Sequence, residues 1–316
     1  MTYRLPTALI QPNGEAGENR RIGSVEGRVA EKAAGRLPLV LADLHMHSTV
    51  SDGWRDPDEV AHLAADRGVR VMALTDHDTL FGIDRARQVA HQRGLGYVPA
   101  LEVTTYPPNQ MRHILAHGVD PNHPRLLAMI RRTQQAFRRQ TESWIALLTE
   151  QGIGRHLALE SFRFKPTLMP GAVLKVVLQH GLMREREAWD SVRAATATLP
   201  SGWDAAIPSP REAVETIHEA GGLAVHAHPG SVPDQDLMKE VLPLLDGLEV
   251  YTRRHSPEQI PIYEALAAQH QLLMTVGTDY HGFNSDDYQA PKKVIDIRYL
   301  EKLGNRVRWP ALERAG

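Results

Sequence analysis

Short apolar runs that end in histidine or a carboxylate, each followed by an amphipathic stretch, recur through the chain and leave it few ways to fold. The run Leu39-Val40-Leu41 leads into Asp43-Leu44-His45-Met46-His47, and Asp52 follows on a Ser51-Asp52-Gly53 turn. Side chains on a strand alternate faces, so His45 and His47 share one face while Met46 points back into protein. Val69 to Leu74 runs into Thr75-Asp76-His77-Asp78, Tyr97 to Val103 carries Glu102 inside an apolar run, and Met111 to Gly118 carries His113 and His117 on one parity. Leu223 to Gly230 ends in Ala227-His228-Pro229-Gly230, Gly247 to Tyr251 precedes Arg253-Arg254-His255, and Leu272 to Val276 delivers Gly277-Thr278-Asp279-Tyr280-His281. Helix starts built from a cap, a proline and a polar residue three places on stand at Asp56-Pro57-Asp58-Glu59, Ser209-Pro210-Arg211-Glu212 and Ser256-Pro257-Glu258-Gln259. Strand and helix in alternation predict an α/β fold with its chemistry at the strand ends.

The alternation breaks between Pro121 and Ile207. A long helical pattern from Arg125 to Gln151 and shorter ones over Gly171–His180 and Glu185–Ala195 follow one another with no convincing strand between them. The chain is therefore expected to comprise a mobile extension over 1–38, a barrel from 39–120 and 208–290, a helical insertion over 121–207 and a charged tail over 291–316. A short strand is expected at Val294 to Ile297.

At successive strand ends stand His45, His47 and Asp52, then His77, Glu102, His113, His228, Asp279 and His281. A closed barrel brings strand ends that are far apart in sequence to one mouth. The chain has no cysteine, so histidine and carboxylates are the only strong metal ligands it can offer. Nine such groups exceed what one ion uses and match two or three divalent ions, Mn, Zn or Fe, with a bridging carboxylate.

The ordered set His-x-His-x4-Asp-Gly, Thr-Asp-His-Asp, the strand glutamate, His-Ile-Leu, Ala-His-Pro-Gly and Gly-Thr-Asp-Tyr-His resembles the PHP family, named for polymerase and histidinol phosphatase. The resemblance implies a distorted (β/α)7 barrel with a helical insertion and a di- or trinuclear phosphoesterase centre. It implies His45, His47, Asp52, His77, Glu102, His113, His228, Asp279 and His281 as the ligands. The insertion resembles that of the bacterial nucleotide phosphatase and 5'-to-3' exoribonuclease branch. Those relatives grip the substrate phosphate with an Arg-Thr-His segment, and Pro170-Gly171-Ala172 falls in its place here. Phosphate donors are therefore expected from Arg163 and Lys165 or from Arg253, Arg254 and His255.

The expected activity is hydrolysis of a phosphomonoester of a nucleotide or small phosphorylated metabolite. A metal-bridging hydroxide would be the nucleophile, Asp52 is counted with the catalytic residues, and His255 or a metal-bound water would protonate the leaving oxygen. Alternatives are 5'-to-3' exoribonuclease or phosphodiester cleavage, amidohydrolase-type C–N hydrolysis, and a metal-binding module without turnover. Asp43, Asp76 and Asp78 are expected to orient ligands rather than bind metal. His117 and His226 are expected in the core or at the rim, and Arg131, Arg132, Arg138 and Arg139 on a solvated helix face.

Lysine plus arginine number 36 against 38 acidic residues, a formal charge of -2, so no global field draws in nucleic acid or anionic lipid. The sequence has no apolar run of membrane-spanning length. A soluble cytoplasmic protein with a small phosphorylated substrate, nucleotide or short RNA, and no obligate protein partner is expected.

Overall fold

A computed structural model describes residues 39–106, 111–153, 165–231, 241–282 and 295–304; the extension over 1–38 and most of the tail lie outside them. The strands are β1 (Leu39–Val40), β2 (Ala42–Asp43), β3 (Val71–Met72), β4 (Gly96–Tyr97), β5 (Ala100–Thr105), β6 (Arg112–His117), β7 (Leu223–His226), β8 (Gly247–Tyr251), β9 (Leu273–Val276) and β10 (Ile295–Asp296). The helices are α1 (Pro57–Asp66), α2 (Ile83–Gln92), α3 (Pro124–Glu150), α4 (Pro170–Gln179), α5 (Glu185–Thr196), α6 (Pro210–Glu219), α7 (Gln259–Gln269) and α8 (Ile297–Leu303).

β2, β3 and β4 pair in parallel, and β5 to β9 form a second sheet in chain order. Backbone hydrogen bonds join the two sheets along both edges. On one side the Glu102 amide donates to Thr75 O at 3.1 Å and the Asp78 amide to Glu102 O at 2.9 Å. On the other, Leu44 N donates to Val276 O at 3.1 Å, Asp279 N to His45 O at 2.9 Å and His47 N to Tyr280 O at 2.8 Å. β4 and β5 form one wall that breaks at Pro99, which has no amide to donate. The ring is therefore β2, β3, β4/β5, β6, β7, β8 and β9, the expected seven-stranded barrel.

β6 runs antiparallel to both neighbours, while β7, β8 and β9 are parallel. That reversal decides where its histidines go. The other ring strands reach the mouth with their carboxyl ends, whereas β6 reaches it with its amino end, so His113 arrives there. His117, at the far end of β6, is buried between Leu44 O at 2.8 Å and the Tyr299 hydroxyl at 2.5 Å.

The barrel interior is filled by Leu44, Val71, Leu115, Val225 and Val276, with Tyr299 and Leu303 from α8 packed into the same cluster. The C-terminal segment is thus more than the expected charged tail: β10 pairs antiparallel with β1, and Tyr299 and Leu303 lie four apart on one helix face directed into the core. Outside the ring, α1 and α2 cover Met46, Met72 and Leu74; α3 and α6 cover Leu101, Val103 and Ile114; α7 covers Leu248 and Val250.

α3 spans two cores. Its first turns bury Leu126, Met129 and Ile130 against the barrel, and its last bury Trp144 and Leu148 against α4 and α5. Among the described residues between β6 and β7 there is no strand. No helix among the described residues is long and apolar enough to cross a membrane.

Candidate metal centre

The barrel mouth opens into a cavity of about 780 Å³. Barrel residues including Asp52, His77, Glu102, His113, His228 and Asp279 form its floor. Phe137, Met169, Leu174, Leu178 and Trp189 from the insertion give it an apolar ceiling, with Lys175 among them.

At the floor, His45 Nε2, His47 Nε2, Glu102 Oε2 and Asp279 Oδ1 gather at separations of 3.0 to 3.4 Å. Two imidazole nitrogens 3.1 Å apart gain little from each other, since at best one proton lies between them. Ligands at about 2.0–2.2 Å around a tetrahedral cation would be spaced by roughly 3.3–3.6 Å. The spacing of this tetrad therefore suits a shared cation, and all four side chains are buried.

Glu102 is the hub of the rest. His113 Nδ1 and His228 Nε2 each lie 3.1 Å from its Oε1, and His77 Nδ1 lies 3.4 Å from its Oε2. A second group forms around Asp52: His281 Nε2 is 3.4 Å from Asp52 Oδ1, His77 Nε2 is 3.9 Å from Oδ2, and His47 Nδ1 is 3.8 Å from Oδ1. His47 Nδ1, His77 Nδ1 and His113 Nε2 are buried without a hydrogen-bond partner. Three overlapping donor groups could each hold an ion: His45, His47, Glu102 and Asp279; His77, Glu102 and His113; and His47, Asp52, His77 and His281.

The electrostatics match this chemistry. Burial pulls the His45 and His47 imidazoles down, but neighbouring carboxylates outweigh it, holding His45 well above its ordinary value and His47 up at about 10. Burial by itself would raise Glu102, Asp279 and Asp52, yet the surrounding imidazoles hold all three well below the usual carboxylate range. His77 goes the other way, pushed by burial to about 3. The site thus presents ionised oxygens together with nitrogens that would surrender protons to a cation.

Neighbouring side chains fix these rings. His45 Nδ1 donates to Glu249 Oε1 at 2.9 Å, leaving Nε2 for the tetrad, and Glu249 Oε2 accepts the His228 amide at 2.8 Å. His281 Nδ1 donates to Asp279 O at 3.0 Å, which turns Nε2 toward Asp52. Glu249 is fully buried and was missed in the sequence, where its one signal is an acid inside the apolar strand β8.

Asp43 accepts from the Thr278 amide and hydroxyl at 3.0 and 2.7 Å, and Asp76 accepts from both hydroxyls and both amides of Ser48 and Ser51. Asp78 accepts the Thr104 amide at 2.9 Å, and burial pushes its carboxyl up to about 7. These aspartates order loops around the cluster through hydroxyls and backbone amides. Arg253 and Arg254 line the cavity, and Arg254 Nε donates to Asp279 Oδ2.

His255 does not reach the cavity. Its Nδ1 donates to Val250 O and its Nε2 accepts the Gly230 amide, both at 2.9 Å, while the ring stacks on Tyr263. With both nitrogens committed to backbone it is a brace between loops, which corrects the proton-donor role expected from the sequence. Lys165 does not line the cavity either; it donates to Thr49 O and Ser51 O at 2.7 and 2.9 Å. Arg163 lies outside the described residues.

Comparisons with known proteins agree with this geometry. The PHP domain family matches residues 43–161. The chain is 33% identical over 253 residues to a phosphoribosyl 1,2-cyclic phosphate 1,2-diphosphodiesterase of Eggerthella lenta, covering 77% of this chain and 95% of that one. It is 30% identical to a 5'-3' exoribonuclease of Haemophilus influenzae, covering 76% and 89%. It is 29% identical to a 3',5'-nucleoside bisphosphate phosphatase of Chromobacterium violaceum, covering 76% and 86%. A solved structure from Chromobacterium violaceum, described as an amidohydrolase with bound sulfate and no metal, superposes with a TM-score of 0.73 at 26% identity over 86% of this chain and 99% of that one. With its barrel, its strand-end cluster and these relatives, the chain belongs to the PHP family of metal-dependent phosphoesterases.

Proposed function

We propose that the nine residues hold three divalent cations, and that the protein releases phosphate from a nucleotide or a similarly small phosphorylated metabolite. The partition of donors around Glu102 carries this reading. Here His45, His47, Glu102 Oε2 and Asp279 would hold one ion; Glu102 Oε1 would hold a second with His113 and His228, each 3.1 Å from it; and Asp52, His77 and His281 would hold a third. No residue but Glu102 then serves two ions, and each of the nine residues has a place. Mn, Zn and Fe all suit nitrogen and oxygen ligands of this kind.

Cations so placed would lower the pKa of bound water and neutralise charge on the phosphoryl oxygens. The chain's own contribution is positioning. Asp279 holds the Arg254 guanidinium at the cavity floor, Arg253 lies beside it, and Lys175 faces them from the insertion, so a phosphoryl group can be gripped from both sides. Lys175 takes up part of the task that Arg-Thr-His performs in the resembled branch, since Pro170-Gly171-Ala172 offers no cation. The apolar ceiling of Phe137, Leu174 and Trp189 suits the organic part of a substrate and excludes water from it.

The relatives named for cyclic phosphate, bisphosphate and RNA hydrolysis share phosphoester bonds, and the sulfate in the Chromobacterium violaceum structure is a tetrahedral oxyanion. The test is a phosphate-release screen of Mn-loaded protein against nucleoside monophosphates, 3',5'-bisphosphates, cyclic phosphoribosyl esters and short RNA, beside an amide panel. Metal-dependent cleavage of a phosphorylated compound supports the reading. Stepwise shortening of RNA would move it to the exoribonuclease alternative, and turnover confined to amides would overturn it.

A further inference from the structure

Most members of the cluster stand on ring strands or immediately beside them, but Asp52 is carried on a turn, and that turn is gripped from two sides. From the barrel, Asp76 binds Ser48 and Ser51. From the insertion, Lys165 Nζ donates to Thr49 O at 2.7 Å and Ser51 O at 2.9 Å, and Lys175 Nζ donates to Gly53 O at 3.1 Å while lying 4.8 Å over the Trp54 ring. Between the two lysines in sequence, in the first turn of α4, Gly171 sits so close to Asp52 that a Cβ there would lie 2.7 Å from Asp52 Oδ2. The insertion thus holds the backbone on both sides of Asp52 and leaves room for its carboxylate.

Half-buried ammonium groups lose hydration, and carbonyl oxygens restore it only where the loop is correctly folded. The contacts are therefore selective for one loop conformation. They are also confined to one donor set. The tetrad of His45, His47, Glu102 and Asp279 rests on β2, β5 and β9 and the residues that follow them, with Glu249 and Asp43 as braces, all from the barrel.

We propose that Lys165, Gly171 and Lys175 form a clasp through which the insertion assembles the Asp52–His77–His281 ion site, so that this ion depends on the insertion and the tetrad ion does not. The proposal rests on the three-ion reading above. It makes the insertion a device for building the metal centre as well as the roof of the substrate cavity.

The test is metal content per chain, measured by elemental analysis after dialysis against Mn2+, for the full chain and for Asp52→Asn, Lys165→Met, Lys165→Arg and Gly171→Ala. The clasp predicts that Lys165→Met and Gly171→Ala lose about one ion per chain, as Asp52→Asn does, and that Lys165→Arg keeps it. Full metal content in both Lys165→Met and Gly171→Ala, with Asp52→Asn one ion short, overturns the clasp alone. If the unsubstituted chain binds no metal, or Asp52→Asn loses none, the three-ion reading itself fails. Hydrogen exchange on the unsubstituted chain gives a second reading that folding defects cannot confuse. Metal loading should slow exchange at residues 49–53 and at 165–175 together; slowing at the first segment with none at the second overturns the clasp.

Discussion

Glu249 Oε1 receives the Nδ1 proton of His45 at 2.9 Å, with both side chains wholly removed from solvent. The bond fixes the tautomer that leaves His45 Nε2 facing the tetrad. Removing such a partner typically costs 10- to 100-fold in metal affinity. Glu249→Gln should therefore weaken binding of the tetrad ion by about that factor, read by competition with a chelator of known affinity. Unchanged metal affinity would mean that the strand packing alone orients His45.

The ligand cluster was legible because strand alternation and an ordered run of strand-end residues leave few arrangements open. Glu102 could be read as a buried acid needing a cation, and Glu249 carries the same signal, but only the fold reveals that its partner is the far ring nitrogen of His45. The direction of β6 was not legible, since nothing local distinguishes a strand whose histidine enters the mouth at its start from one whose histidine leaves at its end. His255 was misread for a related reason. A histidine after a strand end looks the same in sequence whether its ring turns to the cavity or back onto Val250 O and Gly230 N. α8 was unread because its apolar pair, Tyr299 and Leu303, is short, and its value lies in the barrel interior it completes.

Lys175 should impose a pH limit on substrate binding. Burial, then the charge of Lys165, pushes its ammonium down to about 8, against the opposing pull of Asp52 and Asp56. The cation that meets phosphate is present below that pH and lost above it. KM for the phosphorylated substrate should rise about 3- to 10-fold between pH of about 8 and about 9.5, and Lys175→Arg should remove the rise. A rise that persists in Lys175→Arg would assign the effect to another group.

His117 and Tyr299 tie the C-terminal helix to the barrel interior. Tyr299→Phe leaves His117 Nδ1 buried without a donor, and the protein should lose about 1–3 kcal/mol of stability in urea unfolding. Burial also pushes His117 down to about 4, so in the fold it is neutral at pH values where the unfolded chain is already protonated. The unfolded state gains protons first as pH falls, so the stabilising difference is complete above the unfolded value near 6.5 and is lost progressively down to about 4. That loss amounts to about 3 kcal/mol at most, and His117→Gln should flatten the stability profile over the same window.

Metal-dependent phosphate release is the central consequence of the strand-end cluster. The decisive measurement follows phosphate from the preferred substrate of the screen through three states of one preparation: as loaded with Mn2+, after exhaustive chelation, and after Mn2+ is returned. Convergence of His45, His47, Asp52, His77, Glu102, His113, His228, Asp279 and His281 on one centre predicts activity, then its loss, then its recovery in step with about three ions per chain. Turnover that survives chelation, with metal content near zero, would contradict it.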